Sequence, residues 1–259
     1  MRNSKGSGRM KGVRIFMHSL YQVTGNLEGA LRVSLLPYAI QIVAGLVFAG
    51  RIESLGDLGV VGGGGLGVFL TLAVVIATSL WIAVAWHRFV LLNERPAGMV
   101  PAFHGPLVWA YFLRSLGYAA IIVAGVLVLG SIVMLLFGGL LRGSAALVMV
   151  VSGLLVYLPL TVVMLRLMTA LPGVALGVEG AFLAGMRATE GRTGEIAVVA
   201  VIVVGLRIVL AFLSLKLFAN LTILGFAWDA VTGWFVTMVG VSILTTLYGH
   251  YVEGRPLRD

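Results

Sequence analysis

Long apolar stretches bounded by charged residues recur along the chain and predict helices that cross a lipid bilayer. A bilayer core about 30 Å thick requires roughly 20 apolar residues in a helix. Segments that meet this requirement are residues 31–50, 66–86, 115–141, 144–166, 196–218 and 229–249. Their apolar residues are continuous, whereas a membrane-spanning β-strand needs alternation. We therefore predict an all-α integral membrane protein with six transmembrane helices arranged as three hairpins.

Residues 12–26, ahead of the first span, are typical of an interfacial helix. Apolar residues recur there at helical spacing with polar residues between them, which is the pattern of an amphipathic helix on a membrane surface. The same rhythm returns 166 positions later, as in Phe16 and Phe182, and a looser candidate covers 97–113. The pattern predicts three units, each an interfacial amphipathic helix on the cytoplasmic side followed by a hairpin. Alternatively, any six-span chain with short loops produces such a pattern.

The stretch 167–192 is apolar enough to be confused with a further span. Pro172, Glu179 and several glycines make it a poor lipid-facing helix, because proline and glycine weaken helices and a carboxylate is costly in lipid. We predict that 167–192 is also interfacial. The alternative, a seventh span over 167–186, would move Arg187 to the other side of the membrane and reverse every later loop.

Composition supports the same class of protein. Hydrophobic residues make up 60% of the 259 positions, charged residues only 11%, and the mean hydropathy is +1.07. A soluble protein has about 25% charged residues, so a soluble globular domain is excluded. The chain has no cysteine, which excludes disulfides, thiolate nucleophiles, iron–sulfur clusters and cysteine-based zinc sites.

Lysine and arginine are distributed unequally between the two sides of the predicted membrane. One side, with both termini and the loops 87–114 and 166–194, holds fourteen of the eighteen basic residues, and the other side holds three. Because basic loops stay inside, we expect both termini in the cytoplasm. The net charge of +8 then suits anionic lipid headgroups, and no nucleic-acid partner is expected.

The N-terminal residues differ in character from the rest of the chain. Residues 1–11 are polar and basic, so we expect a flexible segment there, followed by a single six-helix membrane domain over 12–259. No apolar core of a signal peptide precedes the first span, and Met10 is an alternative natural start.

Three short strings carry a resemblance to known proteins. They are Gly25-Asn26 ahead of the first span, Trp86-His87-Arg88-Phe89-Val90-Leu91-Leu92, and Leu171-Pro172 followed by Met186-Arg187-Ala188-Thr189. With them the chain resembles uncharacterised bacterial six-span inner-membrane proteins, similar in layout to the YciC-like proteins and to the membrane domain of some glycerophosphodiester phosphodiesterases. The likeness covers nearly the whole chain, in pattern more than in identities. It implies a six-helix fold and a location in the bacterial inner (plasma) membrane. The larger proteins carry a catalytic domain after the spans, whereas this sequence stops at Asp259, so no phosphodiesterase activity is carried over from the resemblance.

Arg207 is the most informative charged residue because it falls near the middle of the fifth span. An isolated charge there costs several kcal/mol, and such residues usually face the bundle interior with a partner. Gln41 in the first span and Tyr157 in the fourth lie at a similar depth. We predict an intramembrane polar site of these three residues. It would be either an anion-binding or gating site, or an interhelical hydrogen-bond anchor.

Other charged residues are predicted to lie near the two membrane surfaces. Lys216 and Asp229 match in depth and are expected to form an ion pair on the outer face. Arginines beside the spans on the cytoplasmic side are candidate contacts for anionic lipid headgroups. They are Arg32, Arg88, Arg114, Arg166 and Arg187.

Catalytic and metal-binding patterns are sparse in this chain. The four histidines fall on the predicted cytoplasmic side without metal-ligand spacing. His87 and Arg88 are expected to close the second span against headgroups, with pairing to Glu94. No paired carboxylates, phosphate-binding loop or nucleophile elbow occur, so we predict no enzyme and no cofactor.

Two functions remain from the sequence. The first is a non-catalytic accessory, assembly or envelope-maintenance protein that acts through helix packing and a basic cytoplasmic face, with lipids and another membrane protein or a second copy as partners. The alternative is a carrier or flippase for a lipid or small anion, with Arg207 as its central charge. Transporters usually have several polar groups at the midplane, and only one is charged here, which favours the first function.

Overall fold

The computed structural model describes residues 4–56, 63–141, 144–218 and 222–258. Its helices are α1 Ser4–Thr24, α2 Leu27–Gly56, α3 Gly63–Leu92, α4 Gly105–Leu141, α5 Ala145–Ser152, α6 Leu158–Met168, α7 Leu171–Ala175, α8 Ala184–Ala188, α9 Thr193–Phe218 and α10 Thr222–Tyr251. A π-helical turn, Gly153–Tyr157, joins α5 to α6. No strand occurs in these ranges.

Six helical segments in the described residues are long and apolar enough to cross a membrane. They are Leu27–Phe48, Leu66–Leu92, Gly105–Gly139, Val150–Ala175, Thr193–Leu217 and Ile223–Tyr251. The all-helical, multi-pass class predicted from the apolar stretches is therefore confirmed. The seventh span considered over 167–186 is not among them.

Several boundaries differ from the predicted ones. Helix α4 begins at Gly105, so most of the interfacial candidate 97–113 belongs to the third span. Helix α1 begins at Ser4, within the stretch expected to be flexible. Serine and glycine are weak helix formers, so tertiary contact explains the helix here: Lys11 lies 3.5 Å from Glu195 of α9, and Gly8 lies beside the same side chain.

The fourth span is irregular because of Pro159. Proline has no N–H and crowds the preceding turn, and the π-helical turn ends two residues before it. The Thr161 hydroxyl donates to the Tyr157 carbonyl at 2.8 Å, a bond one turn back that threonine often makes within helices. The span therefore accommodates Pro159 through a local change in helix type.

The segment predicted to be interfacial over 167–192 is partly buried in protein. Leu171 and Ala175 of α7 are 1% and 0% exposed, and α7 packs against α3, α4 and α10. This corrects the prediction for its first half. The proline and glycine residues that make a poor lipid-facing helix instead allow a short helix to pack closely inside the bundle, since Tyr248 lies against Gly173.

The hydrophobic core lies at the end of the bundle that holds both chain termini. Its residues come from the first halves of α2, α4 and α9, the second halves of α3 and α10, and the short helices α6 and α7, and Ile15 and Val23 of α1 complete it. Helix α1 packs across α9 and α10, α2 lies along α3, and α6 contacts α4 and α9. The opposite halves of the long helices are largely exposed.

Candidate functional site

Arg207 lies near the middle of α9, fourteen residues after Thr193 and eleven before Phe218. Its side chain is exposed, and it has no hydrogen bond or ion pair with any residue that the structure describes. Ile208, Phe212 and Leu215 nearby are 64%, 57% and 67% exposed. Arg207 is thus a cation on an otherwise apolar outer surface of the bundle.

The two residues predicted to accompany Arg207 lie elsewhere. Gln41 donates from Nε2 to the Ser79 hydroxyl at 3.1 Å, which joins α2 to α3. Tyr157 is 49% exposed, and neither residue has a hydrogen bond to Arg207 within the described ranges. Equal depth along the membrane normal does not fix which side of a helix a residue occupies, so the three-residue site does not form.

The predicted ion pair between Lys216 and Asp229 is also absent from the described part of the chain. Asp229 Oδ1 instead accepts a hydrogen bond of 2.7 Å from the Ser214 hydroxyl, and the Lys216 ammonium lies 5.9 Å from the Phe212 ring centroid. Residues two apart on a helix point about 200° from each other. The residue that faces α10 is therefore Ser214, and Lys216 faces away.

Three of the five arginines expected to contact lipid headgroups bond to protein instead. Arg88 pairs with Glu94 at 2.6 Å and donates to the Ala175 carbonyl at 3.2 Å, which confirms the local Arg88–Glu94 pairing. Arg114 donates to the carbonyls of Gly180 and Ala181 at 2.9 and 3.1 Å. Ala175 is the last residue of α7, and the other two carbonyls belong to the irregular connection that follows it. Helical N–H groups are not available to these carbonyls, so the arginines satisfy them.

Arg166 is the third of these arginines and holds α8 against α6. It donates from Nε to the Thr189 hydroxyl and from Nη2 to the Met186 carbonyl, each at 3.0 Å. Gly185 permits the contact, since a Cβ there would collide with the Arg166 carbonyl oxygen. The lipid contacts of Arg88, Arg114 and Arg166 stay predictions, and the bonds of these arginines to protein depend on carbonyls of a broken helix, which the sequence pattern did not reveal.

The remaining two arginines stay on the surface. Arg187 is exposed and has no side-chain partner among the described residues. Arg32 pairs with Glu28 one turn earlier at 2.6 Å, and its side chain is 41% exposed. Both remain available to a ligand or headgroup.

Arg32 also borders a cavity of about 460 Å³ between the start of α2 and the end of α3. Polar lining residues include Asn26, Glu28, Asn93 and Arg95, and Phe89 forms part of the apolar lining. Asn93 ends α3 with a left-handed backbone, φ 56°, which asparagine tolerates better than most residues. This turn positions the loop that carries Arg95 beside the first turn of α2.

A buried polar cluster around His87 connects α3, α4 and α10. The Nδ1 and Nε2 atoms of His87 lie 2.8 Å from the Thr245 hydroxyl and 3.2 Å from the Tyr111 hydroxyl. Thr245 donates to the Val241 carbonyl at 3.0 Å, so it accepts from Nδ1–H, and Tyr111 donates to Nε2. His87 is fully buried, which corrects the prediction that it faces headgroups.

A second polar cluster joins α1 to α10. Ser19 donates to Thr246 at 2.8 Å, and Ser242 donates to the Gln22 side-chain oxygen at 2.7 Å. One sequence feature could have revealed both clusters: Ser242, Thr245 and Thr246 form a polar stripe on one face of an apolar span. Buried hydroxyls need partners, so that stripe indicates a protein-facing surface.

Glu195 fixes α1 at the first turn of α9. Its side chain is 10% exposed, accepts a short hydrogen bond from the Tyr251 hydroxyl, and lies 3.5 Å from Lys11 Nζ and 3.3 Å from Arg192 Nη1. In the described ranges, no group of three or more histidine, aspartate or glutamate side chains could hold a metal ion. The contacts of Glu195 tie three helices together.

The C-terminal tail folds back over α1. The Arg258 backbone N–H donates to His18 Nδ1 at 2.9 Å, and its guanidinium lies 4.0 Å from the Tyr21 ring centroid. Burial, followed by the positive charges of Arg258 and His250, lowers the pKa of His18. The neutral imidazole that accepts the hydrogen bond is therefore favoured.

Comparison with known proteins assigns no function to these residues. No protein-family model, curated protein or solved structure matches this chain. The likeness to YciC-like proteins and to phosphodiesterase membrane domains thus stays a prediction from short strings, and function has to be argued from the residues themselves.

Proposed function

We propose that this chain is a non-catalytic membrane subunit that assembles with another membrane protein, or with a second copy, through the exposed face of α9. The observation that carries the proposal is the exposed side chain of Arg207 without a partner among the described residues. In lipid such a charge costs several kcal/mol unless it is paired. A partner helix with a carboxylate or polar group at this depth would remove that cost.

The position of Arg207 along α9 makes it difficult for its guanidinium group to reach water. Eleven residues separate it from Phe218, or about 16 Å of helix at about 1.5 Å per residue. An arginine side chain extends roughly 6 Å toward the interface. Pairing inside the membrane is then the better solution, and Ile208, Phe212 and Leu215 supply apolar surface beside the charge for helix packing.

The same proposal includes the orientation of the chain and the membrane in which it lies. Successive helical pairs form three hairpins, α1 lies at the interface, and the end with both termini faces the cytoplasm of a bacterial inner membrane. The basic residues of that end support this orientation through the positive-inside rule. Anionic lipid headgroups are the expected lipid partners there.

Recovery of the partner tests the role of Arg207. The full chain is tagged, extracted from native membranes in mild detergent and purified as wild type, Arg207→Gln and Lys216→Gln. Lys216 is a matched control, because it is another exposed cation on α9 that lies close to the helix end. We expect the partner with wild type and Lys216→Gln, and at least a tenfold loss with Arg207→Gln, since a lost intramembrane pair costs 1.4 kcal/mol or more.

Two outcomes would contradict this role. Purification of the wild-type chain as a monomer would show that it has no protein partner. Equal recovery of the partner with Arg207→Gln would show that the charge does not contribute to assembly. A partner that proves to be a second copy of the chain would support the proposal as a homo-oligomer.

The carrier or flippase remains an alternative with a different prediction. It requires Arg207 to line a pathway, whereas the cavity described above lies between α2 and α3, at the end of the bundle with the chain termini, and Arg207 is not part of its lining. A liposome flux assay separates the two functions, because a carrier would lose flux in Arg207→Gln even without any partner present.

A further inference from the structure

The cavity between α2 and α3 lies at the height where lipid headgroups meet the protein. Its residues come from the first turn of the span that starts at Leu27 and from the end of the span that finishes at Leu92. A cavity of about 460 Å³ falls within the range of about 300–1,000 Å³ typical of small-ligand sites. It therefore has room for a headgroup at the border between lipid and water.

The charges around this cavity favour an anion. Arg32 and Arg95 line it against a single carboxylate, Glu28, so the lining has a net positive charge. Glu28 pairs with Arg32, which holds the Arg32 guanidinium near the cavity. Arg95 has no side-chain partner among the described residues and is free to bind a ligand.

The remaining lining suits a ligand with both a polar and an apolar part. Asn26 and Asn93 add hydrogen-bonding groups, and Phe89 adds an aromatic surface. The first backbone N–H groups of α2 adjoin the same space and have no partner within the helix. Arginine binds phosphate oxygens with two parallel hydrogen bonds, so two arginines beside polar and apolar surface match a phosphate ester.

We propose that this cavity binds the phosphate group of an anionic ligand, held by Arg32 and Arg95. The expected source is a phospholipid headgroup. This deepens the proposed contact with anionic lipids, on which it rests, but it does not depend on Arg207 or on any protein partner. Inorganic phosphate shares the same chemistry and is the other source to be distinguished.

Lipid retention by the purified full chain tests the site. Native mass spectrometry compares the wild type, the double variant Arg32→Gln/Arg95→Gln and a control, Lys216→Gln, after exchange into phosphatidylglycerol or phosphatidylcholine. Lys216 is an exposed cation outside the cavity. We expect retained phosphatidylglycerol to fall by about tenfold per arginine removed, with little change in the control and little retention of phosphatidylcholine.

A second arm measures binding of inorganic phosphate to the same three proteins in detergent by calorimetry. Binding that is lost only in the double variant would support the phosphate site and identify a soluble source. Equal loss of lipid in the double variant and in Lys216→Gln would overturn the proposal, since general charge would then explain retention. Unchanged binding of both ligands in the double variant would also overturn it.

Discussion

At the level of single residues, three arginines hold the irregular segment after α7 in place. Arg88, Arg114 and Arg166 donate to carbonyls between residues 175 and 186. Hydrogen bonds from charged donors contribute about 1.5–3 kcal/mol each. The cations that the sequence assigned to headgroups therefore compensate for backbone acceptors that a helix would otherwise satisfy.

Arg166→Gln should loosen α8. The variant loses the donors to Thr189 and to the Met186 carbonyl, so amide hydrogen exchange over 176–190 should become about tenfold faster or more. Arg187→Gln removes an equal charge from α8 itself, where the side chain has no partner among the described residues, and should leave the exchange rates unchanged. Equal acceleration in the two variants would argue for a general charge effect.

Glu195→Gln should destabilise the contact of α1 with α9 and α10. The side chain loses its ion pairs with Lys11 and Arg192, and we expect the free energy of unfolding to fall by about 1–3 kcal/mol. The measurement is the thermal unfolding midpoint in detergent. Glu190→Gln, at an exposed position, should not change the midpoint. A Glu195→Gln midpoint equal to that of wild type would contradict the anchoring role.

Docking of the C-terminal tail should weaken at acidic pH. Because the pKa of His18 in the folded protein lies below its ordinary value of about 6.5, the protonated form is disfavoured when Arg258 is bound. The stabilisation is complete above about pH 6.5 and is lost as the pH falls below it.

A spin label on Leu257→Cys measures this directly, since Leu257 packs against the core. The label should become more mobile between pH 8 and pH 5.5. In a His18→Gln background, which has no titrating group at this position, the mobility should stay constant. A tail that moves equally with pH in both backgrounds would rule out His18 as the cause.

At the level of helices, the continuous apolar stretches predicted the spans, because in lipid a helix is one of the few structures that satisfy all backbone hydrogen bonds. It did not predict packing faces. The polar stripe of Ser242, Thr245 and Thr246 indicates a protein-facing surface, but its partners Ser19 and Gln22 are more than 200 positions away. Pairing between distant segments depends on tertiary structure, which a single sequence does not reveal.

The two segments that share the same spacing of apolar residues, now seen as α1 and α8, differ in structure. Helix α1 has 21 residues and α8 has five. Gly191, with φ 71°, allows the turn that follows α8. The same spacing of apolar residues thus gives α1, a long helix that packs across α9 and α10, and α8, a short helix held by hydrogen bonds from an arginine.

Gly12→Ala should prevent α1 from packing closely on α9. A Cβ at Gly12 would lie 2.7 Å from the Val198 Cβ, whereas at Gly8 the nearest atom would be 3.8 Å away. Both alanines favour the isolated helix by about 1 kcal/mol, so Gly8→Ala is a matched control. Trypsin should cleave after Lys11 or Arg14 faster in Gly12→Ala and no faster in Gly8→Ala. Equal protection in the two variants would contradict the close contact.

At the level of the whole molecule, the chain combines a packed end with exposed helix halves. The packed end gathers both termini, the loops 93–104 and 176–192, and the buried polar clusters. The exposed halves are apolar and suit contact with lipid or with a partner helix around Arg207. The proposed basic cytoplasmic face and its contacts with anionic lipid depend on the packed end facing the cytoplasm.

Labelling of single cysteines tests that orientation most directly, since the chain has no cysteine of its own. Gly98→Cys and Val252→Cys place a thiol at exposed positions of the packed end, and Ser144→Cys places one at the opposite end. In intact cells with a permeable outer membrane, an impermeant maleimide should label only Ser144→Cys, and the other two only after the inner membrane is opened. Labelling of Gly98→Cys and Val252→Cys from opposite sides, or of both from outside, would contradict the account.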